Sequence, residues 1–254
     1  MARKETYRHK NASRLSLDTT PKEAIHISPE LKQQYEEGKM LLIDKALHWT
    51  SYDIVRKIRG MLRIKKVGHA GTLDPLATGL LIVCTGKFTK KINEFMAAQK
   101  EYTGSFILGA VTPTYDLESE PIEQKDPAFV TKDLLESTVK QFIGNIEQFP
   151  PAYSAIKKDG VALYELARRG DVVHTEPRKV TIHEFVITNI EMPVVWFRVT
   201  CTTGTYIRSI ANDLGSALGC GAYLASLRRT MIGEYPVSAA ITIEEFTENL
   251  KTPD

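Results

Sequence analysis

The apolar positions of this chain follow two periods, and the changes between them mark its elements. Met40-Leu41-Leu42-Ile43 is an unbroken apolar run and predicts a first buried strand. After Thr50 the spacing turns helical. Ile54, Val55, Ile58, Met61 and Leu62 make one stripe, with Arg56, Lys57, Arg59 and Arg63 pointing away from it. Thr50 with Asp53 three residues on is a variant of the capping box. Residues 80–84 read as a short strand, Phe88, Ile92, Phe95 and Met96 as a helix, and 101–110 as the next strand. Thr131 caps a predicted helix over 132–143 that Gly144 stops, and a shorter helix over 161–169 ends at Gly170. Strands follow at 180–190 and 194–202. Beyond Gly204, Ile207, Ile210, Ala211, Leu214, Ala217 and Leu218 share a helix face that Gly219 closes. Residues 241–246 fit a closing strand and a short helix.

Residues 1–38 are polar and carry no sustained period. They read as an N-terminal extension with room for one short helix, which leaves 39–254 as the folded domain. Strands and helices mix there without regular βαβ repetition. That pattern predicts an α+β protein whose mixed, mostly antiparallel sheet is flanked by helices.

Composition adds exclusions. With 43% hydrophobic and 25% charged residues over 254 positions, the chain has material for a large core. No apolar run reaches membrane-spanning length, and the N-terminus lacks the apolar stretch of a signal peptide. Cys84, Cys201 and Cys220 are odd in number and widely spaced, so a reducing cytoplasm is the expected setting. No coiled-coil stripe is present, and a monomer is the default expectation. Net charge is only +2, yet the charges segregate. Arg56, Lys57, Arg59, Arg63, Lys65 and Lys66 cluster without an acid, and Lys87, Lys90 and Lys91 follow, whereas acids gather between Asp116 and Asp126. A local basic surface for a polyanion is one reading; solvated helix faces are the other.

The chemistry concentrates at Gly68-His69-Ala70-Gly71-Thr72-Leu73-Asp74-Pro75-Leu76-Ala77-Thr78-Gly79. Asp-Pro beside glycine is a common turn, because Asp bonds its own backbone and Pro presets φ. Here three glycines, a histidine and two threonines crowd the same acid, more than a turn needs. The loop is either a tight structural element or a rigid mount presenting one carboxylate to something bulky. Other chemistries fail on spacing. Gly79 to Gly86-Lys87 is too long for a phosphate loop and lacks the following Ser or Thr. The six histidines and three cysteines show no metal-ligand spacing.

Gly68 to Leu81 resembles the signature of the TruB-type tRNA pseudouridine-55 synthases. Lys100-Glu101-Tyr102, Pro150-Pro151-Ala152-Tyr153-Ser154-Ala155-Ile156-Lys157 and Leu163 to Gly170 are similar to later motifs of that family, in order. Cys201-Thr202-Thr203-Gly204-Thr205-Tyr206-Ile207-Arg208-Ser209, Gly219-Cys220-Gly221-Ala222 and Leu227-Arg228-Arg229 complete the resemblance over residues 40–235.

The resemblance implies the pseudouridine synthase fold and isomerisation of a T-loop uridine of tRNA, with neither cofactor nor metal. It implies that Asp74 is the nucleophile, acting on a flipped-out nucleotide. A carboxylate suits the task, since it can attack an electrophilic carbon, leave again, and act as a base in between. Attack on the base, attack on the sugar and removal of a sugar proton all stay open. By the same resemblance Arg208 would orient Asp74 through a two-pronged contact, and Tyr102 would stack on the uracil. Tyr206 and Leu227 would shape the pocket, and His69 would contact the target nucleotide. Without it, each reads as ordinary packing, and Arg208 as a solvated helix charge. The stretch beyond Gly233 is too short for the additional RNA-binding module of many bacterial members. Two rivals remain: a non-catalytic RNA-binding factor and a glycoside hydrolase. The hydrolase needs two carboxylates flanking the bond, and no second acid shares this loop.

Overall fold

The computed structural model describes residues 27–122, 125–158, 160–173 and 175–251. The chain there opens with helix α1 (Pro29–Glu37), strand β1 (Met40–Lys45) and helix α2 (Ser51–Leu62). The acid-bearing loop joins strands β2 (Val67–His69) and β3 (Ala77–Thr85). Helix α3 (Ile92–Ala97), strand β4 (Lys100–Leu108), helix α4 (Lys132–Lys140) and strand β5 (Gly144–Gln148) come next. A small hairpin, β6 (Lys157–Lys158) and β7 (Val161–Ala162), precedes helix α5 (Leu163–Arg168). Long strands β8 (Arg178–Glu191) and β9 (Val194–Cys201) lead to helix α6 (Ile207–Leu218) and strand β10 (Ala222–Ile232). Strand β11 (Tyr235–Pro236) and helix α7 (Ile243–Lys251) close the described chain.

Nine strands form one sheet in the order β1-β3-β10-β4-β9-β8-β5, with β2 on β3 and β11 on β10. Every pair among the nine is antiparallel except β10 with β3. The expected α+β class with a mostly antiparallel sheet is therefore observed. Most of the helices begin where the sequence says they should. Thr50 Oγ1 accepts from the Asp53 amide at 3.0 Å, and Asp53 returns a contact to the Thr50 amide at 3.1 Å, completing the capping box of α2. Thr131 caps α4, and Gly219 ends α6 in the left-handed region.

Two apolar layers hold the sheet. Under β1 and β3, the Ile54, Val55, Ile58, Met61 and Leu62 stripe of α2 packs on Ile43, Leu81 and Val83, together with Phe246 of α7. Under β4, β8, β9 and β10, α4 and α6 cover a cluster built on Phe106, Phe185 and Phe197. Phe106 and Phe197 stack with ring centres 4.1 Å apart.

Four expectations change. Gly144, with φ +98°, opens strand β5 instead of ending α4, which stops at Lys140. Ala217 is exposed, and Gly215 takes the buried position of α6 against β10. Arg59 does not point away: a terminal nitrogen donates to the Val67 carbonyl at 3.1 Å. The largest change is β10, a central strand that the apolar pattern does not announce. It carries Arg228, Arg229, Ser226 and Thr230, and bulges at Leu224/Ser226 and Arg229/Met231 break the two-residue alternation.

Gly215 and Gly60 separate helix propensity from packing. A Cβ on Gly215 would sit 2.0 Å from the Ala222 amide nitrogen, whereas one on Gly60 meets nothing within 4 Å. Propensity alone favours alanine at both by about 1 kcal/mol. In denaturant unfolding we expect Gly60→Ala to stabilise by roughly 0.5–1 kcal/mol and Gly215→Ala to destabilise by roughly 1–3 kcal/mol.

Candidate active site

The loop between β2 and β3 is tied at several points. Ser51, at the start of α2, donates to the Leu73 carbonyl at 3.2 Å and accepts from the Leu73 amide at 2.9 Å. The Pro75 carbonyl accepts from the His48 amide, and the Asp74 carbonyl from the Ala77 amide. Gly79, with φ +100°, permits the turn into β3, and a Cβ there would lie 2.3 Å from the Arg229 carbonyl. These ties leave the Asp74 side chain partly exposed, at 39%.

Arg208 meets it from the first turn of α6. Its Nε lies 3.0 Å from Asp74 Oδ2 and 3.6 Å from Asp116 Oδ2. The expected two-pronged contact with Asp74 is absent, because the terminal nitrogens are used elsewhere. One donates to the Thr114 carbonyl at 3.3 Å and the other to the Tyr153 carbonyl at 3.1 Å. Arg208 is thus a buried hub, not a solvated helix charge. The start of α6 is itself pinned, since buried Gln148 of β5 accepts from the Tyr206 amide at 2.7 Å and donates to the Tyr206 carbonyl at 3.0 Å.

Asp116 is a neighbour of Asp74 and Arg208 that sequence reading missed. Burial pushes its carboxyl above the usual range, opposed by Thr114, by Arg208 and by the Glu118 amide, which donates at 2.9 Å. It lies forty-two positions from Asp74, among acids that read as a solvated cluster, so no local spacing marks it. The space lined by Asp74, Asp116, Leu224 and Leu227 is only about 10 Å³, roughly one water.

A cavity of about 280 Å³ opens beside Asp74. Tyr102, Tyr206, Arg208, Leu227, Lys100 and Arg229 are among the residues that line it. Five of the six residues singled out in the sequence therefore meet here: Asp74, Tyr102, Tyr206, Arg208 and Leu227. The size lies just below the usual range of small-molecule sites, about 300–1,000 Å³. Burial raises the hydroxyl pKa of both tyrosines. His69 is the exception. It pairs with Val83 on β2, away from the lining, and burial followed by the charge of Arg229 lowers its pKa.

Two buried lysines lie by the site, Lys100 in the cavity lining and Lys45 within reach of the Asp74 charge. Lys45 is fully buried and donates to the carbonyls of Ala46 at 3.0 Å and Trp49 at 2.7 Å. Lys100 donates to the carbonyls of Phe95, Met96 and Ala98 at the end of α3. Burial depresses both ammonium groups to about 8. Outside, Arg63, Lys65, Lys66, Lys87, Lys90 and Lys91 are exposed. Among the described residues no group of three or more His, Cys, Asp or Glu side chains could hold a metal ion, and no helix is long and apolar enough to cross a membrane.

Residues 59–207 match the TruB family of pseudouridylate synthases, N-terminal domain, and 208–253 match a tRNA pseudouridylate synthase B C-terminal domain. The second match begins at Arg208 and takes in α6 and β10, which complete this sheet and supply Arg208 and Leu227. The chain is 55% identical over 227 residues to a tRNA pseudouridine synthase B of Flavobacterium johnsoniae, covering 86% of this chain and 99% of the relative. It is 45% identical to one from Phocaeicola vulgatus, over 84% of this chain and 94% of the relative. Among solved structures, it resembles a chain of a Cbf5-Nop10-Gar1 complex with TM-score 0.66 and 29% identity, over 90% of this chain. A chain of an H/ACA ribonucleoprotein bound to a substrate RNA containing 2′-deoxyuridine gives 0.65 and 26%, again over 90%. This chain spans 59% of the length of each of those two.

Lys45 gives the cavity a testable pH signature. Its folded pKa, about 8, lies below the ordinary lysine value of 10.5. Between those values the unfolded chain binds the extra proton, so this lysine adds stability as pH rises and withdraws it as pH falls towards 8. The stability of wild type relative to Lys45→Met should therefore increase between pH 8 and 10, read by chemical unfolding at each pH. A flat difference would show that the ammonium is not depressed.

Proposed function

The chain belongs to the TruB family of pseudouridylate synthases, and from that premise we propose that it converts a T-loop uridine of tRNA, uridine-55, to pseudouridine. The observation that carries this reading is Asp74 held 3.0 Å from a buried Arg208 at the mouth of a cavity with aromatic walls.

The target uridine leaves its stack and enters the cavity, at roughly a few kcal/mol for unstacking and unpairing. The exposed cations at Arg63 to Lys66 and Lys87 to Lys91 offset part of this by meeting phosphates of the T-arm. Tyr102 offers a face for the uracil, and Tyr206 and Leu227 close the sides. Asp74 attacks an electrophilic carbon of the nucleoside, and the bond between N1 and C1′ breaks. The detached base turns inside the closed walls, C5 bonds to C1′, and the bond to Asp74 breaks to release its carboxylate. The C5 proton leaves to Asp74 or solvent and N1 gains one, so the product is an isomer of the substrate. Arg208 pairs with Asp74 through Nε at 3.0 Å while its terminal nitrogens donate to carbonyls, which leaves carboxylate lone pairs free for this sequence.

The hydrolase reading fares worse, even though the structure adds a second acid. Asp74 and Asp116 converge on one Nε, and the space they share holds about 10 Å³. A glycoside hydrolase needs the sugar between its two carboxylates, and that space does not hold one.

The test is to incubate unmodified tRNA with wild type and with Asp74→Asn, then map pseudouridine by chemical derivatisation. Wild type should modify one T-loop position, and Asp74→Asn should lose activity by at least about 10³-fold while still binding tRNA. Equal rates would remove Asp74 from the mechanism, and modification elsewhere would remove the substrate assignment. Arg208→Lys should also lose activity, by on the order of 10²-fold, since a point ammonium on a flexible stem does not reproduce the spread of the guanidinium between Asp74 and the two carbonyls.

A further inference from the structure

Arg229 is one of the largest fully buried side chains, 1% exposed, and it lies in the central strand β10. Its neighbours across the sheet are Gly79 of β3 and Tyr102 of β4. Nε donates to the Leu80 carbonyl at 2.8 Å, and a terminal nitrogen to the Gly71 carbonyl at 3.2 Å. Those two carbonyls belong to the two stems of the loop that carries Asp74. Tyr102, its cross-strand neighbour, lines the same cavity as Arg229. Among the described residues no carboxylate forms an ion pair with Arg229. A buried cation held by carbonyl dipoles is unfavourable for stability compared with an apolar side chain.

The backbone is shaped for this contact. The bulge after Arg229 leaves Thr230 out of register, and its hydroxyl donates to Glu101 Oε1 at 2.7 Å. Glu101 is held in turn by Arg198 of β9, at 3.4 Å. On the other side Gly79, without a Cβ, lets β3 press against the Arg229 backbone.

We propose that Arg229 is a positioning residue for the isomerisation, clipping both stems of the Asp74 loop to the strand that pairs with Tyr102 and so fixing nucleophile against stacking platform. The inference rests on the roles given above to Asp74 and Tyr102. Arg208 holds the acid at its tip, whereas Arg229 holds the loop at its base. Only a planar fork reaches both stem carbonyls; a lysine ammonium is a point donor on a flexible chain. A displacement of about 1 Å at the reacting atoms costs about a hundredfold in rate.

The experiment measures single-turnover pseudouridine formation, tRNA dissociation constant and thermal unfolding for wild type, Arg229→Met and Arg229→Lys. Arg229→Met should fold, bind tRNA as wild type does, and react about a hundredfold more slowly. Arg229→Lys should fall between, about tenfold down at unchanged affinity. A folded variant within about threefold of the wild-type rate, or a loss that follows affinity or the unfolded fraction, overturns the proposal. Should Arg229→Met fail to fold, Arg229→Lys decides by the same criteria. Absence of pseudouridine with wild type would count against the proposed function instead, so the two failures are separable.

Discussion

A single nitrogen, Nε of Arg208, is the point on which the site depends. It binds Asp74 at 3.0 Å and Asp116 at 3.6 Å, while the rest of the guanidinium holds the Thr114 and Tyr153 carbonyls. Segments far apart in the chain are fixed against one side chain, and that side chain sits on a helix start locked by Gln148. Because Arg208 is buried, these contacts are screened far less than surface ion pairs are. Removing the guanidinium would take the cation from two carboxylates and the donor from two carbonyls, so the arrangement holds as a unit.

The sheet exists in its present form to serve that contact. β10 runs through its middle, parallel to β3 and antiparallel to β4, and two bulges aim Leu227 and Arg229 at the cavity. Close backbone approach is required on both flanks. A Cβ on Gly79 would meet the Arg229 carbonyl at 2.3 Å, and one on Gly104 would meet the Ser226 carbonyl at 2.1 Å. The glycines of the signature loop are therefore not only turn formers.

Charge is divided by depth. Outside, lysines and arginines stand exposed near the cavity and suit a polyanion. Inside, Lys45, Lys100 and Arg229 surround the Asp74 loop, held chiefly by backbone carbonyls. Such burial lowers stability and raises the local potential at the Asp74 carboxylate. The open face of the sheet carries a separate polar network, Arg198 with Glu101 and Glu184 at 3.4 and 3.0 Å, which braces β4, β8 and β9 from behind.

Local chemistry was legible from residues alone wherever a few neighbours decide the outcome. The Thr50 cap, the α2 stripe, the long strands β8 and β9 and the Gly219 stop all rest on contacts within one or two turns or one alternation. The crowded loop at Asp74 stood out for the same reason, and the family resemblance added Tyr102, Tyr206, Arg208 and Leu227. Strand β10 escaped because its bulges erase the period and its arginines look like surface. Asp116 escaped because its partner lies in another element, His69 is not among the residues that line the cavity, and the guanidinium of Arg208 pairs with Asp74 through Nε while its terminal nitrogens hold carbonyls. Which polar side chains are buried, and against what, is decided by segments distant in sequence packing together, and only the tertiary structure specifies that.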